Sequence, residues 1–228
     1  MSDADTLRMN AAIPFVDQGI DTPLLARHSM LKRSFDVAAA LLILIAAAPV
    51  MVLLALLVKL DGGPILFRHR RVGAGGTAFQ CLKFRTMVVD ADRALNDLLA
   101  RDATARAEWD AEFKLRHDPR ITWLGRFLRK SSLDELPQLF NVLAGQMSLV
   151  GPRPIVYQEI ARYSTKIADY YTCRPGITGL WQVSGRNDVT YAERVALDSR
   201  YAREWSLSGD AMILIQTVRV VLFRAGAY

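Results

Sequence analysis

The apolar and polar positions divide the chain into three stretches. Residues 1–30 mix small polar and apolar residues without a period and read as a loose N-terminal arm. Val37–Val58 then runs for 22 residues without a charge. At ~1.5 Å rise per residue, such a helix just crosses the ~30 Å hydrocarbon core of a bilayer. Pro49 stands near its middle. It removes the hydrogen bond to the Ile45 carbonyl and kinks or breaks a helix there, leaving halves too short to cross alone. Both flanks are basic: Lys32 and Arg33 come before, and Lys59, Arg68, Arg70 and Arg71 after. Basic flanks are retained on the cytoplasmic side of a membrane. A re-entrant hairpin over residues 31–60, dipping into one leaflet and returning, satisfies both observations. A kinked spanning helix and a buried core helix remain open as readings of the same run.

Residues 61–228 pattern as a cytosolic domain, α+β but mostly helical. Two strand-like runs flank the Gly-rich turn Gly73–Gly76 and predict a hairpin. In the second run Cys81, Lys83 and Arg85 alternate onto one face, and Leu82 and Phe84 onto the other. Residues 88–118 are charged, with Leu95, Leu98 and Leu99 on one side, and predict a solvated amphipathic helix or pair. In "TWLGRFLRK", helical spacing gathers Arg126, Arg129 and Lys130 on one face and Leu124, Phe127 and Leu128 on another. Further on, Pro175-Gly176 predicts a turn, "LWQV" a short strand and "SGRND" another turn. "YAERVALDSRYAREW" and the apolar "DAMILIQTVRVVLF" predict helices, the last lying on a membrane surface or in the core.

Composition narrows what this architecture serves. The chain has 228 residues, 51% of them apolar, and a formal charge of +6. The basic balance favours anionic partners: nucleic acid, anionic lipid or phosphorylated substrate. Cys81 and Cys173 stand far apart without a CxxC, which indicates a reducing compartment and no disulfide framework. His28, His69 and His117 lack HxxH or HExxH spacing, so no zinc site is expected. The Gly73–Gly76 turn is no P-loop, because no Lys-Ser/Thr follows it.

The candidate chemistry sits in "SSLDELPQLFNVLAGQMSLVGPRP", residues 131–154. Ser132 to Glu135 fits the S-x-x-E capping box, an ordinary helix start. Pro137 complicates that reading. A residue preceding proline avoids the α region, so the regular helix is expected to begin at Pro137 and to stop at Gly145. Asp134 and Glu135 then lie at the mouth of a helix, where free N–H groups suit a phosphate. One carboxylate there can attack phosphorus while its neighbour holds a divalent cation. Arg153, stiffened between Pro152 and Pro154, presents a guanidinium fork to phosphate oxygens. Together with Lys83, Arg85 and Arg129, the carboxylate pair describes a cation-lined diphosphate site.

These segments resemble the bacterial sugar transferases, the monotopic phosphoglycosyl transferases that begin bacterial glycan assembly. The resemblance rests on "KRSFDV", the proline-broken run, "KFRTM", "DPRIT", "GRFLRKSSLDELPQLFNVLAGQMSLVGPRP" and "RPGITGLWQVSGRND", and covers essentially residues 32–228. It is nearest to the small form of the family that initiates exopolysaccharide synthesis. It implies transfer of a sugar 1-phosphate, galactose or glucose, from a UDP-sugar to polyprenyl (undecaprenyl) phosphate at the cytoplasmic face of the bacterial inner membrane. The family's nucleophile falls on Asp134 and its magnesium-associated acid on Glu135, with Mg2+ as cofactor. Its phosphate-binding arginines fall on Arg129 and Arg153, and a further acid on Asp210. The hairpin proline falls on Pro49, where Ala48 replaces the serine often found before it. A homo-oligomer is compatible with the resemblance, and nucleic acid is not an expected partner. Two competing readings explain less. A nucleic-acid binder accounts for the charge but not for the uncharged run or paired acids. An inactive membrane-anchored scaffold has no use for "SLDELPQ" amid cations.

Overall fold

The computed structural model describes residues 30–112, 115, 117–185 and 189–223. The expected N-terminal arm, and part of the "SGRND" turn, lie outside them. The described chain is mostly helical, with four short strands. Its contacts form two units, and neither is one continuous stretch of chain: residues 42–68 with 82–138, and residues 30–41 with 69–81 and 139–223.

Helix α1, Met30–Lys59, is continuous through Pro49. The expected break is therefore not seen as an interruption of the helix. At ~1.5 Å per residue α1 is about 45 Å long. Ile43, Ile45, Val50, Val52 and Leu53 stand exposed along it, so about half of its circumference presents apolar surface. A helix of this kind is long and apolar enough to anchor to a membrane.

In the unit of residues 42–68 and 82–138, α1 buries one seam. Met51, Leu54 and Val58, at helical spacing, pack with Phe84, Leu124 and Leu128. Helices α2 (Ala91–Arg101) and α3 (Ala103–Glu112) are the expected amphipathic pair, with Leu95, Leu99 and Ala105 buried between them. Helix α4, Trp123–Ser131, starts where the Thr122 hydroxyl accepts the Gly125 N–H at 2.9 Å. It stops at Ser132, which adopts a left-handed conformation with φ 58°. Phe127 is 54% exposed and does not join Leu124 and Leu128 in the core.

Strands β1 (Leu66–Val72) and β2 (Ala78–Phe84) pair across the glycine turn, as the pattern predicts. The face that β2 buries changes along its length. Phe79 and Cys81 are buried on one parity and Phe84 on the other. The change falls at the boundary between Cys81 and Leu82, where the strand passes from one unit to the other.

In the other unit, helix α5 (Gln138–Leu143) leads to β3 (Ser148–Val150), which pairs in parallel with β4 (Gly176–Thr178). Gly176 is required there, because a Cβ would run into the Gly151 backbone and the Thr178 carbonyl. Short helices α6 (Ile160–Tyr163) and α7 (Ile167–Tyr171) contribute Tyr163 and Tyr170 to a core with Val72, Ile155 and Val195. "LWQV" is not a strand. Leu180–Val183 forms the one-turn helix α8, the strand having been completed at Thr178. Helices α9 (Tyr191–Arg203) and α10 (Leu207–Phe223) follow the sequence pattern. A Thr190/Glu193 capping box starts α9.

Candidate active site

The two acids sit in a 3-10 turn, Leu133–Glu135, between α4 and α5. The pattern Leu-Asp-Glu-Leu explains its orientation. Leu133 and Leu136 pack against the core of Leu124, Leu128 and Phe84, which holds the turn down by its flanks. No side-chain cap from Ser132 is made, so the capping box does not form. Leu136 takes α conformation although a proline follows it, and α5 begins one residue after Pro137.

Lys83, near the end of β2, serves both carboxylates. Its Nζ donates to Glu135 Oε1 at 2.6 Å and lies 3.7 Å from Asp134 Oδ2. Asp134 is only 7% exposed. Burial pushes its carboxyl above the usual range and Glu135 adds to this, while Lys83 and Arg129 pull it back. From α4, the Arg129 Nε donates to the Thr86 hydroxyl at 2.9 Å. Desolvation lowers its pKa, against the opposing fields of Asp134 and Asp118. Arg126, Arg129 and Lys130 all stand exposed on the expected basic face, and what sets Arg129 apart is its bond to Thr86.

The segment carrying Thr86 is locked to the start of α4. Thr122 N–H donates to the Thr86 carbonyl at 3.1 Å, and Met87 bridges to Ile121. Gly125 permits this approach, since a Cβ there would overlap the Thr86 carbonyl. Beside it, Arg120 grips Asp118 with two nitrogens, at 2.8 and 2.6 Å, and stacks over Trp109 at 5.1 Å. Asp118 is held below the usual carboxylate range by these bonds, despite its burial.

Among the residues singled out from sequence, this unit brings together Lys83, Arg129, Asp134 and Glu135. It employs Arg85 elsewhere. The buried Arg85 guanidinium pairs with Asp61 and donates to the carbonyls of Pro64 (2.7 Å), Met87 (2.8 Å) and Val58 (3.0 Å), tying the end of α1 to the strand. That bonding pulls the Asp61 carboxyl down.

Arg153 and Asp210 belong to the other unit. Arg153 is partly exposed, with its guanidinium 5.2 Å from the centre of the Trp181 ring. Its loop is pinned by Gly176 N–H donating to the Pro152 carbonyl at 2.8 Å. Asp210 is 0% exposed. It receives Lys32 at 2.7 Å, the Tyr201 hydroxyl at 2.8 Å and Trp205 Nε1 at 3.0 Å. Lys32 also binds Asp36 at 3.0 Å, and Asp36 accepts from Ser148 at 2.8 Å. Asp210 is thus enclosed as a counter-ion of the helix start. The i,i+4 spacing of Lys32 and Asp36 is a signal of this network that sequence reasoning passed over. Thr86 carried no such signal.

Glu135 fits a magnesium ion as one carboxylate ligand, since such an ion takes few protein groups and completes its shell with water and substrate phosphate. The described residues contain no cluster of three or more His, Cys, Asp or Glu that would form a dedicated metal cage.

The site is therefore a buried carboxylate paired with a second acid and flanked by Lys and Arg, on a chain whose α1 is long and apolar enough to anchor to a membrane. Residues 27–224 match the bacterial sugar transferase family, and the chain belongs to it. It is 56% identical over 206 residues to an undecaprenyl-phosphate galactose phosphotransferase of Salmonella typhimurium, covering 90% of this chain and 43% of that protein. It is 50% identical to the exopolysaccharide production protein ExoY of Sinorhizobium fredii, covering 86% of this chain and 88% of that one. A UDP-glucose:undecaprenyl-phosphate glucose-1-phosphate transferase of Caulobacter vibrioides is 43% identical over 86% of this chain and 72% of its own. The chain therefore spans less than half of the Salmonella relative and most of the Sinorhizobium one.

Proposed function

We propose that the protein transfers a hexose 1-phosphate, galactose or glucose, from a UDP-sugar to undecaprenyl phosphate, initiating exopolysaccharide synthesis. The observation that carries this reading is the buried Asp134 carboxylate, 3.7 Å from Lys83 and in the field of Arg129, in a chain of this family. An Asp134 oxygen attacks the phosphorus attached to the sugar. The bond from that phosphorus to the bridging oxygen breaks, and UMP leaves with the electron pair. The resulting acyl phosphate conserves much of the reactivity of the donor's diphosphate. An oxygen of the lipid phosphate then attacks the same phosphorus, Asp134 leaves as carboxylate, and a polyprenyl diphosphate sugar is formed. Lys83 and Arg129 hold charge on the phosphoryl oxygens through both displacements. Glu135 would hold a Mg2+ as one carboxylate ligand, and that ion would supply further charge opposite the phosphate oxygens.

The apolar run of α1 supports membrane anchorage, and its basic flanks favour a re-entrant course with both ends at the cytoplasmic face of the inner membrane, although the helix itself runs unbroken through Pro49. That position puts a water-soluble donor and a membrane-bound acceptor phosphate at one surface.

The test is a donor-only reaction. Enzyme with UDP-sugar and no acceptor should release UMP in a stoichiometric burst, and rapid acid quench should leave a phosphosugar on the peptide holding "SSLDELPQLF". Asp134→Asn should abolish both. Glu135→Gln should weaken magnesium dependence along with turnover. An adduct that persists in Asp134→Asn, or a requirement for both substrates before any product forms, would return Asp134 to a structural role.

A further inference from the structure

In the unit of residues 30–41, 69–81 and 139–223, four guanidinium groups gather around two carboxylates. Glu159 lies 3.3 Å from Arg194 Nη1 and 3.9 Å from Arg71 Nη1. Asp198 Oδ2 lies 3.9 Å from Arg194 Nε and accepts the Tyr163 hydroxyl at 2.6 Å. Arg162 stacks on the Tyr191 ring at 3.6 Å, and Arg194 lies 5.1 Å from the same ring. Arg153 and Arg194 each stand 5.2 Å from the centre of the Trp181 ring. Arg71, Arg153, Arg162 and Arg194 against Glu159 and Asp198 leave two positive charges in excess among the described residues of this cluster.

Arg194 is the group whose bonding does not close. It is 8% exposed, yet Nε and Nη2 have no hydrogen-bond partner, and neither does the nearby Trp181 Nε1. Nε and Nη2 form one edge of the guanidinium fork, the edge that grips two oxygens of a phosphate or carboxylate. A buried donor left unpaired is costly, so three in one place call for a partner. Ordered water answers a missing hydrogen bond but not an excess of charge. A doubly charged oxyanion answers both.

We propose that Arg194 and Trp181 add a phosphoryl-binding subsite beside Arg153, the arginine already expected to meet phosphate, with two phosphate oxygens on the Nε/Nη2 edge of Arg194 and the same anion within reach of Trp181 Nε1–H. The edge is enclosed while Trp181 and Arg153 are partly exposed, so the ligand enters with a shift of the indole. The identity of the phosphoryl group rests on the proposed function: it belongs either to the diphosphate of the nucleotide sugar or to the monophosphate of the polyprenyl acceptor.

The test is equilibrium binding to the full chain in detergent, without turnover. The probes are inorganic pyrophosphate, UDP and farnesyl phosphate, each titrated into wild type, Arg194→Lys and Trp181→Phe. Losing a bidentate, charge-assisted contact should weaken at least one probe by about tenfold or more in Arg194→Lys, with the thermal midpoint little changed. Loss confined to pyrophosphate and UDP assigns the subsite to the donor. Loss confined to farnesyl phosphate assigns it to the acceptor, and loss for all three makes it common to both. If Arg194→Lys does not fold, Trp181→Phe, which removes one donor and keeps an aromatic ring, should show the same pattern at a few-fold. Unchanged affinity for every probe in the folded variants overturns the proposal, as does a wild type that binds none of them. Because binding is read without transfer, failure of the transfer reaction and failure of this subsite give different results.

Discussion

Lys83→Met removes the cation that faces both acids. At 3.7 Å from Asp134 Oδ2, a unit charge pair in an effective dielectric of about 20 is worth about 4 kcal/mol. The Lys83 side chain is 28% exposed, and solvent screening reduces this to roughly half. A loss of about 2 kcal/mol corresponds to about 30-fold in any step that requires ionised Asp134. The sign follows from the direction of the pKa. Burial already raises the Asp134 carboxyl, and Lys83 opposes that rise. Without Lys83, the carboxyl titrates at higher pH, so the acidic limb of the activity profile moves upward. The assay is UMP release from UDP-galactose by enzyme alone, measured across about pH 5 to 9, a span wide enough to contain a raised carboxylate. The variant should lose most at the acid end and recover part of that loss toward alkaline pH, the constant remainder being its lost contact with the phosphoryl oxygens, and Lys83→Arg should stay closer to wild type throughout. A Lys83→Met profile superimposable on wild type would refute the reasoning. So would a loss equal at every pH, because it would leave Lys83 only its contact with the phosphoryl oxygens and no hold on the Asp134 proton.

Asp134→Asn bears on stability as well as on transfer. A carboxyl raised in the folded state binds its proton more tightly there than in the unfolded chain, so its favourable contribution is complete below the ordinary carboxylate range and is lost as pH rises through the folded pKa. The amide should therefore unfold at a higher temperature than wild type near neutral pH, with the gap closing on acidification. Gly125→Ala forces a methyl against the Thr86 carbonyl and should cost about 1–3 kcal/mol, read by thermal unfolding. Arg129→Lys keeps the charge but loses the planar fork that holds the Thr86 hydroxyl, and turnover should drop well beyond twofold. For topology, single cysteines near Met30 and near Gly62 in an otherwise cysteine-free chain should both resist an impermeant thiol reagent on intact cells. Labelling of the Met30 probe alone would exclude the hairpin, and Pro49→Leu should push the chain toward spanning.

Much of the candidate site could be read from residue type and spacing. The Asp134-Glu135 pair, Lys83 and Arg129 were identifiable as a cation-lined carboxylate centre, and the structure brings these four into one unit. Spacing failed where two side chains of like type meet different surroundings. Arg126, Arg129 and Lys130 share a helix face by angle, but only Arg129 has Thr86 beside it. Arg85 alternates with Lys83 on one strand, yet Asp61 and three carbonyls claim it. Asp210 reads as one more acid near the C-terminus, and only packing reveals Lys32, Tyr201 and Trp205 around it.

The sequence by itself determined the apolar α1, the glycine-turned hairpin, the amphipathic pair α2 and α3, and the helices α9 and α10. Each of these follows from local periodicity, caps and turn residues within about a dozen positions. The tertiary structure alone decided the conformation of the segment that carries the acids. Local rules favoured a capping box at Ser132 and an extended residue before Pro137. The fold instead sets Ser132 left-handed and Leu136 in α, because burying Leu133 and Leu136 beside Leu124, Leu128 and Phe84 outweighs both local preferences. It also decided what Asp134 meets. Lys83 lies about fifty residues earlier in the chain, and a contact at that separation is fixed by how strand and helix pack, which no local pattern encodes.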